Sequence, residues 1–443
     1  MSCLLTDEPV AAGQSADESG TNDSAPLAQA STDGDDDQRQ LRENPDFAPP
    51  APGENTGEAT AATDYAKYPF LNLKANAISY NGSDPERFKT LLTASADTLI
   101  TILHIGDSHI QAEGSTSRTR ALLQNRCGSG GRGLIIPFRL AGTNQPLDYS
   151  ITSSSRFTSA KLMKQPWSIE MGFSGVSLKP LDRNFDMTIS AKTSGGISPA
   201  FNSIRIFCTG SLPRVTLAKN SDGGISITQE NCNGYLDVFL DKTVETVTLN
   251  FTSEGACTLH AFDLDNAMAG VKYSAIGNNG ATYSSYNALG SIGRDISALE
   301  PDLIILSMGA NEAFGKVTDT AMRSSIDLLV KNIRRSNPGA QILLTTPADC
   351  QRSVRRRVKT RRRRRYRTVR TYQHNENIAR LRNVILAYGR DNNIATYDWY
   401  AVAGGDKSSV RWIADGLMSK DRIHLTWKGY KLMGELFYDA LVK

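Results

Sequence analysis

Two kinds of hydrophobic patterning alternate along this chain. Residues 99–105 form a mainly apolar run, the signature of a strand buried on both faces, and a helical stretch over about 110–125 follows, ending at Gly128-Ser129-Gly130-Gly131. From about residue 271 the same alternation returns: strands at 271–276, 302–308, 341–346 and 394–397, a helix within 318–335, another within 372–390, and a last one running to 441. That order predicts an α/β fold with a mostly parallel sheet between helices and any reactive site beyond the carboxyl ends of the strands. Between about 133 and 264 the period shortens to two. Alternating runs at 186–191, 203–208, 214–218, 224–229, 235–240 and 243–251 are separated by Gly, Asn, Asp and Pro, the spacing of an antiparallel β-sandwich. The expected plan is therefore a first part of one domain over 65–132, an inserted sandwich over 133–264, and the second part of the first domain over 265–443.

Residues 1–64 are of another kind. They carry 14 acidic against 2 basic side chains and almost no aromatic residue, so they cannot bury enough apolar surface to offset ordering entropy, and a disordered acidic tether is expected. Removing that segment's −12 from the chain's +4 leaves +16 on the rest, which is distinctly basic. No run of 18 apolar residues exists to span a membrane, and the N-terminus lacks the regions of a signal peptide, so any export signal has been removed or lies outside this sequence. Cys3, ahead of the tether, reads either as the lipidated end of a cell-envelope protein or as a stray thiol. Of Cys127, Cys208, Cys232, Cys257 and Cys350, three fall in the β-rich region, where a disulfide is an open expectation whose pairing the spacing cannot give.

Chemistry concentrates at strand ends. Gly106-Asp107-Ser108-His109 closes the first strand, a sharp strand-to-helix turn that exposes a serine hydroxyl among helix N-terminal N–H groups. Gly277-Asn278-Asn279-Gly280-Ala281-Thr282 follows the strand at 271–276, Gly309-Ala310-Asn311-Glu312 follows the strand at 302–308, and Asp421-Arg422-Ile423-His424 precedes the final helix. Serine first, asparagine in the middle and Asp-x-x-His last resembles the SGNH (GDSL-type) hydrolases. The resemblance implies a flavodoxin-like fold with Ser108 as nucleophile, His424 as base and Asp421 orienting the imidazole. The oxyanion would be held by the Ser108 and Gly280 N–H groups and the Asn311 amide, with Gly277 the competing glycine. His109 stands where the commonest form of the family has leucine, and Glu312 where it usually has aspartate. The layout further resembles peptidoglycan O-acetylesterases of this type, whose insert is of carbohydrate-binding-module kind; on it, Trp167, Phe173 and Tyr235 either stack on sugars or pack the core.

A serine hydroxyl needs a neutral imidazole within hydrogen-bond reach to act at neutral pH, which is why these residue types matter. The other histidines are assigned elsewhere: His104 to the strand core, His109 to the site or to the first turn of a helix, His260 to the sandwich, and His374 to the start of a polar helix. No metal-ligand motif appears, and the serine mechanism needs neither metal nor other cofactor. Residues 352–370 hold 12 basic side chains, including the unbroken run Arg361, Arg362, Arg363, Arg364 and Arg365. This stretch reads as a solvated loop or as a site for an anionic polymer, and the absence of interleaved aromatics disfavours nucleic acid. The expected activity is removal of acyl groups, acetyl first, from a cell-envelope or dietary polysaccharide such as peptidoglycan. Acyl transfer to a sugar and non-catalytic glycan or anion binding are the alternatives.

Overall fold

A computed structural model of the chain describes residues 63–93, 97–218, 224–359 and 366–443. Nearly all of the acidic tether, Cys3 and the run Arg361 to Arg365 lie outside the described residues.

The centre of the molecule is a six-stranded sheet in the order Ile78–Ser79, Ala395–Tyr397, Gln341–Thr345, Leu303–Ser307, Leu99–Gly106 and Gly270–Gly277. The first is antiparallel to its neighbour and the others are parallel. Alternate side chains of Leu99–Gly106 enter separate cores. Ile100 and Ile102 pack with Trp399, Trp412 and Leu436, whereas Leu103 and Ile105 join a core that continues through Ile276 into the antiparallel domain. Burial on both faces explains why these strands read as mainly apolar runs.

Two antiparallel sheets make up the intervening region. One contains Ile227–Cys232, Tyr235–Val244, Phe201–Gly210, Cys257–Asp265, Val176–Pro180 and Phe157–Lys161, with Gly133–Ile135 added on Cys257–Asp265; the other contains Tyr149–Thr152, Asn184–Ala191, Thr246–Thr252 and Arg214–Leu217. Asn184–Ala191 alternates outward and inward along its length, and Phe185, Met187 and Ile189 fill the space between the sheets. Phe173 is buried against Phe207, with ring centroids 4.9 Å apart, so it packs the core and is closed to a sugar. Trp167 is partly buried and donates its indole N–H to the carbonyls of Lys161 and Leu162. Tyr235 packs against the core beneath the Arg205 guanidinium, 4.3 Å from its centroid. Cys208 and Cys257 are buried here as free thiols.

Three local expectations are corrected. The helix expected over about 110–125 is two helices, Ser108–Gln111 and Gly114–Cys127, separated at Glu113, whose φ of 53° is left-handed. A buried ion network holds that residue: its carboxylate accepts from Arg120 at 2.9 Å and from Arg132 at 2.8 Å, and both arginines also pair with Asp148. On either side of the run Arg361 to Arg365, which lies outside the described residues, the basic stretch forms two antiparallel strands, Gln351–Lys359 and Tyr366–His374, where a solvated loop is expected. His374 accordingly closes a strand, with its ring nitrogens 3.1 Å from Asp349 and 2.9 Å from Asp406, and the helix begins later, at Asn377.

Candidate active site

Gly106, Gly277 and Ser307 lie side by side at the carboxyl edge of the parallel sheet. The short helix Ser108–Gln111 crosses directly over that edge, and two glycines permit it. A Cβ on Gly106 would stand 2.4 Å from Ile110 Cγ1, and one on Gly277 would stand 2.0 Å from the Gln111 amide nitrogen. Gly277 is thus a packing residue inside its strand. Gly280 instead occupies the turn beyond it, with φ +80° and nothing nearer to its Cβ position than Met163 at 3.8 Å. The Gln111 side chain fixes this turn by accepting from Asn279 N–H at 2.7 Å.

Ser108 and His424, 316 positions apart, meet there: the serine Oγ lies 2.8 Å from His424 Nε2. On the far side of the ring, His424 Nδ1 lies 2.7 Å from Asp421 Oδ2. The carboxylate fixes the tautomer with the proton on Nδ1, so Nε2 is left to accept from the serine. Local backbone bonds shape this segment. Asp421 Oδ1 accepts from Ile423 N–H at 2.9 Å, from His424 N–H at 3.0 Å and from the Ser419 hydroxyl at 2.9 Å. Burial alone would raise the pKa of Asp421, but the His424 charge and these hydrogen bonds outweigh it and hold the carboxyl well below its usual range. Thr426 then caps the helix Trp427–Val442 and ends the turn.

The N–H groups of Ser108 and Gly280 have no acceptor among the described residues. Asn311 lies beside them, its amide donating to Ala281 O at 2.9 Å and, at 3.3 Å, to Asp107 Oδ2. Asp107 caps the nucleophile's helix by accepting from His109 N–H at 2.9 Å. Its pKa is pushed up to about 6 by burial, opposed by that hydrogen bond and by His424. Glu312 is also buried. Its Oε1 accepts from Tyr283 N–H at 2.8 Å, at the first turn of Tyr283–Asn287, and burial raises it to about 7. The longer side chain at this position therefore ties the Asn311 loop to the Gly280 turn.

His109 is half-buried, its ring 5.1 Å from that of His424 between centroids and its Nδ1 3.0 Å from the Tyr430 hydroxyl. Burial, followed by repulsion from His424, lowers it to about 3, so it packs against the base as a neutral ring. His104 bonds Tyr273 and Ser307 inside the sheet, and His260 bonds Ser177 and Thr209 in the sandwich. Among the described residues no group of three His, Cys, Asp or Glu side chains is placed to hold a metal. Two contributors escaped the sequence reading, Gln111 and Gln351. Each is a buried glutamine near a block that carries chemistry, a position where an uncharged polar side chain needs partners.

Residues 241–432 match the profile of the GDSL-like Lipase/Acylhydrolase family, and that part of the chain is of this family. The matched span takes in Gly280, Asn311, Asp421 and His424, while Ser108 lies upstream of the antiparallel insertion. A solved structure of a peptidoglycan O-acetylesterase superposes with a TM-score of 0.65 at 21% identity, over 82% of this chain and 97% of that one. Coverage of that extent takes in the inserted sheets and shows a shared fold. A lipase/acylhydrolase from Enterococcus faecalis (21% identity, TM-score 0.27, 38% of this chain and 75% of that one) and an acetyl xylan esterase (16%, 0.29, 38% and 81%) match over smaller parts. No curated protein matches the chain.

Proposed function

We propose that this acylhydrolase is a serine esterase that removes acetyl groups from a cell-envelope or dietary polysaccharide such as peptidoglycan. The observation that carries the reading is the continuous relay from Ser108 Oγ through His424 to Asp421, at 2.8 and 2.7 Å. In the reaction, Ser108 Oγ attacks the ester carbonyl while its proton passes to His424 Nε2. The carbonyl electron pair moves onto oxygen, beside the Ser108 and Gly280 N–H groups. When the tetrahedral intermediate collapses, the sugar alkoxide leaves with the proton held on His424. A water molecule then attacks the acyl-serine, giving one proton to the same nitrogen; collapse returns that proton to Ser108 and releases acetic acid, which gives up the second proton to solvent as acetate. Asp421 stays ionised throughout and stabilises the imidazolium.

The structural likeness to a peptidoglycan O-acetylesterase supports a shared architecture, and the polysaccharide substrate is our extension of it. The test is acetate release from O-acetylated peptidoglycan and from a chromogenic acetyl ester, for wild type and Ser108→Ala. Release by wild type that disappears in the variant is expected. Equal release by both overturns the esterase reading, and cleavage of the small ester with no release from any acetylated glycan overturns the polysaccharide reading.

A further inference from the structure

Between Asp349 and Glu376 the chain contains 12 arginines and lysines and not one carboxylate. Elsewhere some cations are closely matched: Lys272 lies 2.9 Å from both Asp263 and Asp265, and Arg205 lies 2.8 Å from Asp237. In the hairpin Gln351–Lys359/Tyr366–His374, by contrast, Arg355, Arg356, Arg357, Arg367 and Arg370 are exposed and have no carboxylate partner among the described residues. Register sets Arg355 directly opposite Arg370, with Arg357 two residues along on the same face. Like charges facing each other across strands destabilise a hairpin, and a bound anion relieves them. The Arg357 guanidinium lies 5.0 Å from the centroid of the Tyr366 ring, which holds its fork against the strand.

The base of the hairpin grips both loops that flank Ser108. Arg352 donates to Phe314 O at 3.0 Å, three residues beyond Asn311. Gln351 N–H donates to Arg422 O at 3.0 Å, and the Tyr372 hydroxyl donates to Lys420 O at 3.2 Å, on either side of Asp421. A polymer lying along the hairpin is therefore led to the rim of the site.

We propose that the face bearing Arg355, Arg357 and Arg370 docks the polymer whose esters the site cleaves, and that this polymer is an O-acetylated glycan with carboxylates on its repeating units. The proposal rests on the esterase reading above. A planar guanidinium fork donates two parallel hydrogen bonds to a carboxylate, and the ester must come from the same chain for docking to serve the serine.

The experiment compares kcat/KM on O-acetylated polygalacturonate with kcat/KM on 4-nitrophenyl acetate, using the full chain. For Arg355→Ser/Arg357→Ser/Arg370→Ser, the ratio is expected to fall about tenfold or more in low salt and to lose its dependence on added NaCl. Arg355→Lys/Arg357→Lys/Arg370→Lys, which keeps the charge, is expected to retain most of the preference. Removing three cations from helix Asp319–Ser336 instead (Lys331, Arg334 and Arg335 to Ser) is expected to leave the ratio unchanged. An equal fall in the Ser and Lys variants, an unchanged ratio in the Ser variant, or equal turnover of neutral O-acetylated xylan by wild type overturns the docking proposal. So does tighter binding of polyphosphate or single-stranded DNA than of the polyuronate. Absence of wild-type turnover on the small ester overturns the esterase reading itself, so the two failures are distinguishable.

Discussion

Gln351 and Arg422 hold each other twice: the Gln351 N–H donates to the Arg422 carbonyl at 3.0 Å, and Arg422 Nη1 donates to Gln351 Oε1 at 2.7 Å. Arg422 stands at φ 64°, a left-handed conformation that a non-glycine residue adopts only when its surroundings impose it. Its guanidinium also lies 4.0 Å from the centroid of the Tyr372 ring. The clamp fixes the turn between Asp421 and His424. Gln351→Ala is expected to lower kcat on a small ester about tenfold with little change in KM, since it loosens a positioning contact and leaves the substrate surface alone. Gln351→Glu, which keeps an acceptor for the guanidinium, is expected to recover most of the rate. A rise in KM with kcat unchanged would show that the clamp serves binding.

The proposed catalytic groups act as one unit, and their losses are expected not to add. Ser108→Ala and His424→Ala should each lower kcat by roughly three to six orders of magnitude, and the double variant should be no slower than the worse single one. Asn311→Ala should cost less, up to about two orders, because its amide already donates to Ala281 O and Asp107 Oδ2 and so positions the site. Steady-state kinetics on a chromogenic acetyl ester measures all four. Additive losses in the double variant would mean that Ser108 and His424 work separately.

How far the sequence could be read depends on how narrowly physics restricts each segment. The central strands were legible because burial on both faces favours mainly apolar runs, and the Ser108, Asn311 and Asp421-to-His424 blocks because each sits at a strand or helix boundary with few competent residue types. The two-residue period also announced the antiparallel region, through runs such as Asn184–Ala191. What failed was set by distant partners. Glu113 breaks a helix because Arg120 and Arg132, which also pair with Asp148, capture its carboxylate, and nothing within a helical window reveals that. The basic hairpin was misread because repeated like charge argues against paired strands. Its alternating valines, Val354 and Val358 against Val369, were the available signal.

The buried network around Glu113 predicts a large stability effect. Arg120 and Arg132 share two carboxylates, Glu113 and Asp148, and all four groups are shielded from water. Burial alone would raise the pKa of Asp148, but the two arginines reverse this and leave it lowered. Removing one anion strands a cation, so Glu113→Gln is expected to destabilise the protein by about 3–5 kcal/mol, read from urea unfolding at neutral pH. A loss below about 1 kcal/mol would mean that water reaches the network.

Glu312 predicts a dependence of stability on pH. Burial raises its carboxyl from the ordinary value of 4.5 to about 7, with the hydrogen bond from Tyr283 N–H opposing and the neighbouring Asp107 adding to the rise. The folded protein therefore keeps a proton that the unfolded chain has already released, so between about pH 4.5 and 7 stability falls as pH rises. Glu312→Gln keeps an acceptor for Tyr283 N–H and removes this charge. It is expected to stabilise the protein by roughly 1–3 kcal/mol above pH 7 and to have little effect at pH 4. Asp107, raised to about 6, titrates in the same direction, so a shallower slope should remain in the variant. Thermal unfolding at half-unit steps from pH 4 to 8 gives both curves. If they run parallel, Glu312 is ionised in the folded protein at low pH, and its Oε2, which has no hydrogen-bond partner among the described residues, must be solvated.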